Sequence, residues 1–520
     1  MGSKLVRSSF LNFIGNIIFR VGGYIYRFLM ASLLGPSNYG ILGLTLPFQG
    51  IFQALSAGGM PPAIAKYIAE YEILDEKDMA RQTIYTSLKI TTVLGLFFGF
   101  FMVFFAAPWI AEVYLQKPEA TIPLQIVGLI TPFSAIIGAF RGGFQGVYKM
   151  EYMLYTRAVE QLGMILFATA FILIGLSVSG ALLGTTLGFV FSAILSVYIF
   201  KNHMGEFIPP KNPNFKFTHR DELKLVKKLL WFSIPVIITS LAEMGIYTIG
   251  TLVMGRYLTA DLIGYFTAAD PIARLPLIIS ISLSVTILPA TSEAFSIKDN
   301  SKLKKYVSEA YKYTMIFVIP MCIGIALFSK EILGLVYFTN PDYMAGATAM
   351  SILTIGMSFY SIYVISTSII QGTGNPRIPM YILIGGIVAS IFLNIWLVPT
   401  HGIVGGAIAN TLSCLVMVFP ILYFVSRYTK TNFPIRPIGK ILIASIIMGI
   451  VILILPKSRT GLLIGIVICP IIYILSIIGL RFFTLEDIAN FRGYSAKLGP
   501  LSGLANKILD FVEKFLIKSK

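Results

Sequence analysis

The chain has 520 residues, of which 56% are hydrophobic and 12% charged, with a mean hydropathy of +0.81 and a formal net charge of +17. Apolar runs of about 20 residues recur from end to end, which excludes a soluble globular domain and implies a multi-pass membrane protein. The positive charge does not point to nucleic acid, because the basic residues are spread over many short loops; anionic lipid head groups account for them better.

Fourteen spans are predicted near residues 9–34, 39–63, 84–107, 122–140, 153–175, 180–200, 229–254, 262–289, 311–329, 346–370, 379–398, 403–426, 438–456 and 461–480. The fold class is therefore an all-α polytopic membrane protein with about 14 transmembrane helices. No short apolar core with a small-residue cleavage site opens the chain, so the first span is read as a retained helix. With both termini in the cytoplasm, 33 of the 41 Lys and Arg fall in cytoplasmic segments. Only Lys117, Arg256, Lys330, Lys457 and Arg459 fall outside, an asymmetry that predicts this orientation in the cytoplasmic membrane. Cys322, Cys414 and Cys469 lie in apolar spans and read as packing residues; no disulfide, metal site or cofactor is implied.

The chain also repeats itself. Gly40 with Pro47 recurs as Gly264 with Pro271, Gln145-Gly146 as Gln371-Gly372, and Gly180 with Gly184 as Gly402 with Gly406, at offsets of 224, 226 and 222. An even number of helices separates the copies, so they are predicted to be parallel six-helix repeats related by an axis along the membrane normal. The expected organisation is a six-helix lobe over 1–205, a cytoplasmic linker over 206–228 and a second lobe over 229–430. Two extra transmembrane helices over 431–483 and a cytoplasmic tail over 484–520 follow. In the tail, Leu501, Leu504, Ile508, Phe511, Val512 and Phe515 share one face, which reads as an interfacial helix on the inner leaflet, or alternatively as a partner-docking helix.

Charged groups inside apolar spans are the candidate functional residues. Arg20 and Arg27 stand seven apart in the first span, on one helical face and about 10 Å apart along the axis. A guanidinium at mid-bilayer costs about 2.5–3.5 kcal/mol even on insertion scales, so the pair calls for a polar cavity or an anionic partner. Guanidinium forks suit phosphate oxygens, and two of them suit a doubly charged group. Arg27 has a second reading, as an anchor that snorkels to the outer head groups. Glu243 in the seventh span and Asp270 in the eighth are the candidates for coupling or gating. Arg274 is a third basic candidate, and it also reads as an i,i+4 partner of Asp270. Glu243 occupies the place where the repeat offset puts the counterpart of Arg20. Arg157 and Glu160 read as a local pair near the interface, and Gln49 and Gln53 as the polar groups of the second span. Gly58-Gly59-Met60-Pro61-Pro62 and Pro271, Pro276 and Pro289 make the second and eighth spans the hinge candidates.

The run Leu33-Leu34-Gly35-Pro36-Ser37-Asn38-Tyr39-Gly40, followed by Met60-Pro61-Pro62-Ala63-Ile64-Ala65-Lys66 and Glu70, carries a family resemblance. It resembles the polysaccharide-exporter branch of the multidrug/oligosaccharidyl-lipid/polysaccharide (MOP) exporter superfamily. It is similar to stage V sporulation protein B, to the O-antigen flippases and, more distantly, to the lipid II flippase. The resemblance implies a fourteen-helix fold with two six-helix lobes and a central cationic cavity. It also implies flipping of polyprenyl-diphosphate-linked saccharides from the inner to the outer leaflet. Arginines of the first and eighth helices matter in the lipid II flippase, and Arg20, Arg27 and Arg274 fall at comparable places. The chain departs from that flippase in its second span, which has Gln49 and Gln53 and no Arg.

The expected function is a flippase for a lipid-linked oligosaccharide or cell-envelope precursor. The diphosphate would sit on Arg20, Arg27 and Arg274, the sugar between the lobes and the prenyl tail in lipid. The expected partners are the lipid-linked saccharide and membrane lipids, with envelope glycosyltransferases as neighbours of a monomer. One alternative is a cation-coupled multidrug antiporter of the same superfamily, which should present carboxylates where the first span offers two arginines. A membrane glycosyltransferase, polymerase or ligase would need a large outer loop or an acidic metal-binding pair, and no Asp-x-Asp occurs; no catalytic residue or enzyme activity is expected. The remaining alternative is a non-transporting scaffold of envelope biosynthesis.

Overall fold

The computed structural model describes residues 2–205, 215–483 and Arg492, and every regular element among them is a helix. The tail over 484–520, apart from Arg492, and residues 206–214 of the linker lie outside the described residues. In chain order the helices are α1 (Gly2–Ala57), α2 (Met60–Ile73), α3 (Lys77–Phe101), α4 (Thr121–Gly146), α5 (Met150–Phe171), α6 (Ser177–His203), α7 (His219–Tyr257) and α8 (Ala260–Ala273). They continue with α9 (Leu277–Ser296), α10 (Asn300–Leu327), α11 (Ser329–Val336), α12 (Ala347–Gly372), α13 (Arg377–Thr429), α14 (Ile435–Ile454) and α15 (Arg459–Gly479).

Eleven helical stretches among the described residues are long and apolar enough to cross a membrane. Three of them are broken internally: α1 at Gly35 (φ 72°), the α5–α6 stretch at Gly175 and Ser177 (φ 97° and 48°), and α13 at Gly402 (φ 59°). Each break falls between two expected spans, which is consistent with fourteen. At Gly35 the cause is local. Pro36 disfavours helical backbone at the residue before it, and Gly35 takes up a positive φ that a Cβ would penalise. The carbonyls freed there find other donors. Asn38 Nδ2 donates to the Leu34 carbonyl at 3.2 Å and Asn340 Nδ2 to that of Ser32, which Pro36 cannot serve, at 3.5 Å; the Tyr343 hydroxyl adds a bond to the Ala31 carbonyl at 2.8 Å. At the second break the strained residue is a serine. Ser177→Gly is expected to raise stability by about 1 kcal/mol, read as a higher midpoint of thermal unfolding in detergent.

The second and eighth spans are both interrupted, at Gly58–Gly59 between α1 and α2 and at 274–276 between α8 and α9. The α7 helix starts at His219, ten residues before the expected seventh span. Thr218 accepts from the Asp221 amide while the Asp221 side chain accepts from the Thr218 amide, a reciprocal cap that starts the helix ahead of the apolar run.

The helices pack as two compact units. Among the described residues, the first gathers 2–205, 215–271, 336–349 and 383–413. One of its cores joins α2, α3, α4 and the start of α7 through Ile64, Ile68, Ile84, Phe144 and Leu229. Gly40 and Gly264, matched in sequence by the repeat, lie against each other's helix: a Cβ on Gly40 would strike the Ala260 carbonyl, and one on Gly264 the Pro36 carbonyl. The Tyr26 hydroxyl bonds Thr185 at 3.1 Å, fastening α1 to α6. Lys117 donates to the Gly255 carbonyl at 2.8 Å near the end of α7; burial pushes the pKa of this loop amine down. Among the described residues, the second unit gathers 272–335, 350–382 and 414–483. There α10, α14 and α15 share a core of Met315, Phe328, Ile441, Met448 and Ile452, and Tyr473 donates to the Ile316 carbonyl at 2.7 Å. Bulky apolar side chains such as Phe100, Phe104, Trp109, Leu173, Ile174 and Trp396 are exposed, as lipid-facing surfaces require.

Candidate functional site

The first unit contains a polar recess of about 390 Å³ enclosed by legs of α1, α4, α5 and α6. The break at Gly35 lets one continuous stretch supply two walls, Phe19 from the first leg of α1 and Gln49 and Gln53 from the second. The two glutamines are one turn apart and share a face. The α4 helix contributes Ser134 and Arg141, and α5 contributes Glu160.

Arg141 and Glu160 form an ion pair, Nη2 to Oε2 at 2.6 Å, with side-chain exposures of 17% and 4%. The guanidinium also donates from Nε to Thr156 Oγ1 at 3.2 Å and from Nη2 to Ser192 Oγ at 3.4 Å. Ser192 in turn donates to the Thr156 carbonyl at 2.9 Å. A buried pair persists only when its remaining valences are met in this way. Arg141 Nη1 and Glu160 Oε1, however, have no hydrogen bond among the described residues. The expected partner of Glu160 was Arg157. The Arg157 guanidinium lies over the Phe19 ring, 5.7 Å from its centre, within electrostatic reach of Glu160, and Glu160 forms its ion pair with Arg141 on the neighbouring helix. No spacing or span signals this pair in advance, because Arg141 sits in the last turns of α4, which runs beyond the expected fourth span to Gly146.

Gln49 and Gln53 are thus brought together with a charged pair. Arg20 follows Phe19 directly, is exposed, and makes no ion pair or hydrogen bond among the described residues. Arg27, about two turns further along the same leg, is half-buried among tyrosines and acts electrostatically on Tyr26, Tyr39 and Tyr337. Asp270 is also within electrostatic reach of Tyr39, so Arg27 and Asp270 share a neighbour. The rings of Tyr39, Tyr337 and Tyr343 pack on one another, and the Tyr337 hydroxyl holds the Ala268 carbonyl at 3.0 Å. Glu243 is exposed on α7 and pairs with neither Arg20 nor Arg27 among the described residues. Arg274 belongs to the second unit. Since α8 ends at Ala273, it lies in the turn 274–276 and not on a helical face continuous with Asp270; both side chains are half-buried and engaged by neighbours.

A sequence model described as polysaccharide biosynthesis protein matches residues 5–295, more than half the chain and all of the recess. The chain belongs to the polysaccharide biosynthesis protein family. A second model, MatE, matches residues 235–396. Within the wider group, this polysaccharide biosynthesis family member is 30% identical to an uncharacterized membrane protein of Methanocaldococcus jannaschii, over 81% of this chain and 98% of that one. It is 21% identical to the lipid II flippase MurJ of Bacillus subtilis, over 87% of this chain and 88% of that one. A solved structure of lipid II flippase MurJ in an inward closed conformation superposes with a TM-score of 0.72 at 19% identity, covering 89% of this chain and 97% of that one. The family member therefore has the fold of the MOP exporters.

Proposed function

We propose that the protein is a flippase that moves a polyprenyl-diphosphate-linked oligosaccharide or cell-envelope precursor from the inner to the outer leaflet by alternating access. The observation that carries this reading is Arg20, a guanidinium in an apolar span, exposed beside a polar recess and with no protein partner among the described residues. A charge that costs this much to place in a span answers to a ligand, and a diphosphate offers the oxygens it needs. Arg27 is the proposed second contact, and Arg274 is proposed to act on the cargo as well. Glu243 and Asp270 are the proposed coupling or gating groups. The six-helix lobes 1–205 and 229–430, joined by the linker 206–228 and followed by the two helices of 431–483 and the tail, are the proposed moving parts. The proposed setting is the cytoplasmic membrane with both termini inside. There the protein works as a monomer beside the glycosyltransferases that build its cargo.

Arg20→Ala is expected to leave the protein folded and to reduce translocation of a lipid-linked saccharide in proteoliposomes to the empty-vesicle level. Arg274→Ala should do the same. Full activity in both variants would falsify the assignment. Depletion in cells should trap lipid-linked saccharide on the cytoplasmic face; no accumulation would favour a scaffold. The MatE match supports a second reading, a cation-coupled multidrug antiporter. Loss of resistance to cationic dyes on depletion, without trapped saccharide, would select it.

A further inference from the structure

We propose that a basic hollow at one end of the first unit, on the cytoplasmic side in the proposed orientation, holds the phosphate of an anionic lipid of the inner leaflet. The site is independent of the cargo that the protein moves. The hollow, about 330 Å³, lies between the end of α2, the start of α3 and residues 215–228. Lys216, Lys224 and Lys228 stand on its walls against one carboxylate, Asp221.

Charge is the first reason. Asp221 is already engaged, since it caps α7 through Thr218 and stands 3.6 Å from Lys224. Glu70 lies 3.5 Å from Lys228, and Glu222 is taken by Lys89 at 2.6 Å. Lys216 makes no ion pair or hydrogen bond among the described residues. Arg220 and Lys227 are exposed on the neighbouring turns and add to the positive field. Tyr71 supplies a neutral donor. Its hydroxyl accepts from Lys228 Nζ at 3.2 Å, so its own O–H is left to give, and no acceptor for it occurs among the described residues. Phosphate oxygens accept from ammonium and hydroxyl groups together.

Depth selects a lipid over a soluble phosphate. Lys224, Lys227, Trp231, Ile234 and Ile238 recur at helical spacing along one face of α7. Trp231 is 77% exposed, and Ile234 and Ile238 are exposed beyond it. Trp231 follows Lys228 by about 4.5 Å along the axis. Cation, tryptophan and branched aliphatic residues in that order match the head-group, interfacial and acyl levels of a bilayer. A lipid whose phosphate sits in the hollow lays a chain along Trp231 and the two isoleucines, whereas a soluble phosphate ester gains nothing from them.

The test uses Trp231 as its reporter. The chain has three tryptophans, and the other two, Trp109 and Trp396, are exposed, so both can be changed to Phe in the full-length protein. This background is reconstituted in phosphatidylcholine vesicles with rising fractions of dibrominated phosphatidylglycerol or dibrominated phosphatidylcholine, and quenching of Trp231 fluorescence is read. Half-quenching is expected at about a fivefold lower fraction of the brominated phosphatidylglycerol, roughly what one lysine contributes at a membrane surface. Lys216→Ser with Lys224→Ser should cut that preference to about twofold or less. Lys304→Ser with Lys305→Ser removes as much charge from α10 and should leave it unchanged. Tyr71→Phe alters no charge and should lower it by about twofold. Equal quenching by the two lipids, or a preference that neither the lysine pair nor Tyr71→Phe reduces, would overturn the site. An equal loss in the α10 variant would overturn it too, in favour of diffuse surface charge. Recovery of fluorescence on adding millimolar glycerol phosphate would identify a soluble phosphate ester as the ligand and overturn the lipid assignment.

Discussion

Glu160→Ala is expected to lower stability by about 3–5 kcal/mol, the cost of leaving a desolvated guanidinium without its counter-ion. The magnitude follows from burial: Glu160 is 4% exposed, so water cannot replace the lost carboxylate, and Thr156 and Ser192 give Arg141 only neutral partners. Arg141→Ala should cost a similar amount by stranding the carboxylate. Removing both charges together, as in the double variant Arg141→Met with Glu160→Leu, should recover much of the loss, because apolar side chains of similar volume satisfy the same space without desolvation. Unfolding midpoints of the two single variants and the double variant, measured in one detergent, complete the cycle. Additive losses would show that the two residues do not act as a pair.

Gly264→Val should be close to lethal for folding. A Cβ there meets the Pro36 carbonyl and a branched side chain meets more of the same backbone, which no rotamer relieves. Overpacking in a core commonly costs about 1–3 kcal/mol, and a clash with main chain on both sides of a helix contact belongs at or above the top of that range. Gly40→Val presses on the Ala260 carbonyl from the opposite side and should fail in the same way. Gly385→Ala is the control: nothing lies within 4 Å of its Cβ position, so the change should be neutral or stabilise α13 by up to about 1 kcal/mol. The measurement is the yield of monodisperse protein after extraction, followed by thermal unfolding of whatever folds.

The spans, their breaks and the repeat were legible because each leaves a local trace: an apolar run, a Gly-Pro step, a recurring offset. Gly40 and Gly264 were matched by position alone, and the structure puts them in backbone contact, where both must be small. The polar interior was legible only in part. Helical spacing favours Arg157 as the partner of Glu160, yet the partner is Arg141, nineteen residues back, and only the packing of α4 on α5 reveals it. Spacing likewise put Asp270 and Arg274 on one face, but the helix stops at Ala273, ahead of Pro276, which disfavours helical backbone before it. The early start of α7 was hidden for another reason: hydropathy ignores caps, and Thr218 with Asp221 forms a good one.

The break at Gly35 also dictates an order of assembly. Pro36 has no N–H, so the Ser32 carbonyl lacks its helical donor and is met by Asn340 Nδ2, more than three hundred residues downstream, at 3.5 Å. When the first two membrane legs leave the ribosome, the donor that completes them has not been synthesised. Until it arrives, water at the bilayer edge or a membrane chaperone must occupy the Ser32 carbonyl, since hydrocarbon cannot. The amino-terminal hairpin is therefore inserted early and finished late, and truncation before residue 340 should leave it a substrate for quality control.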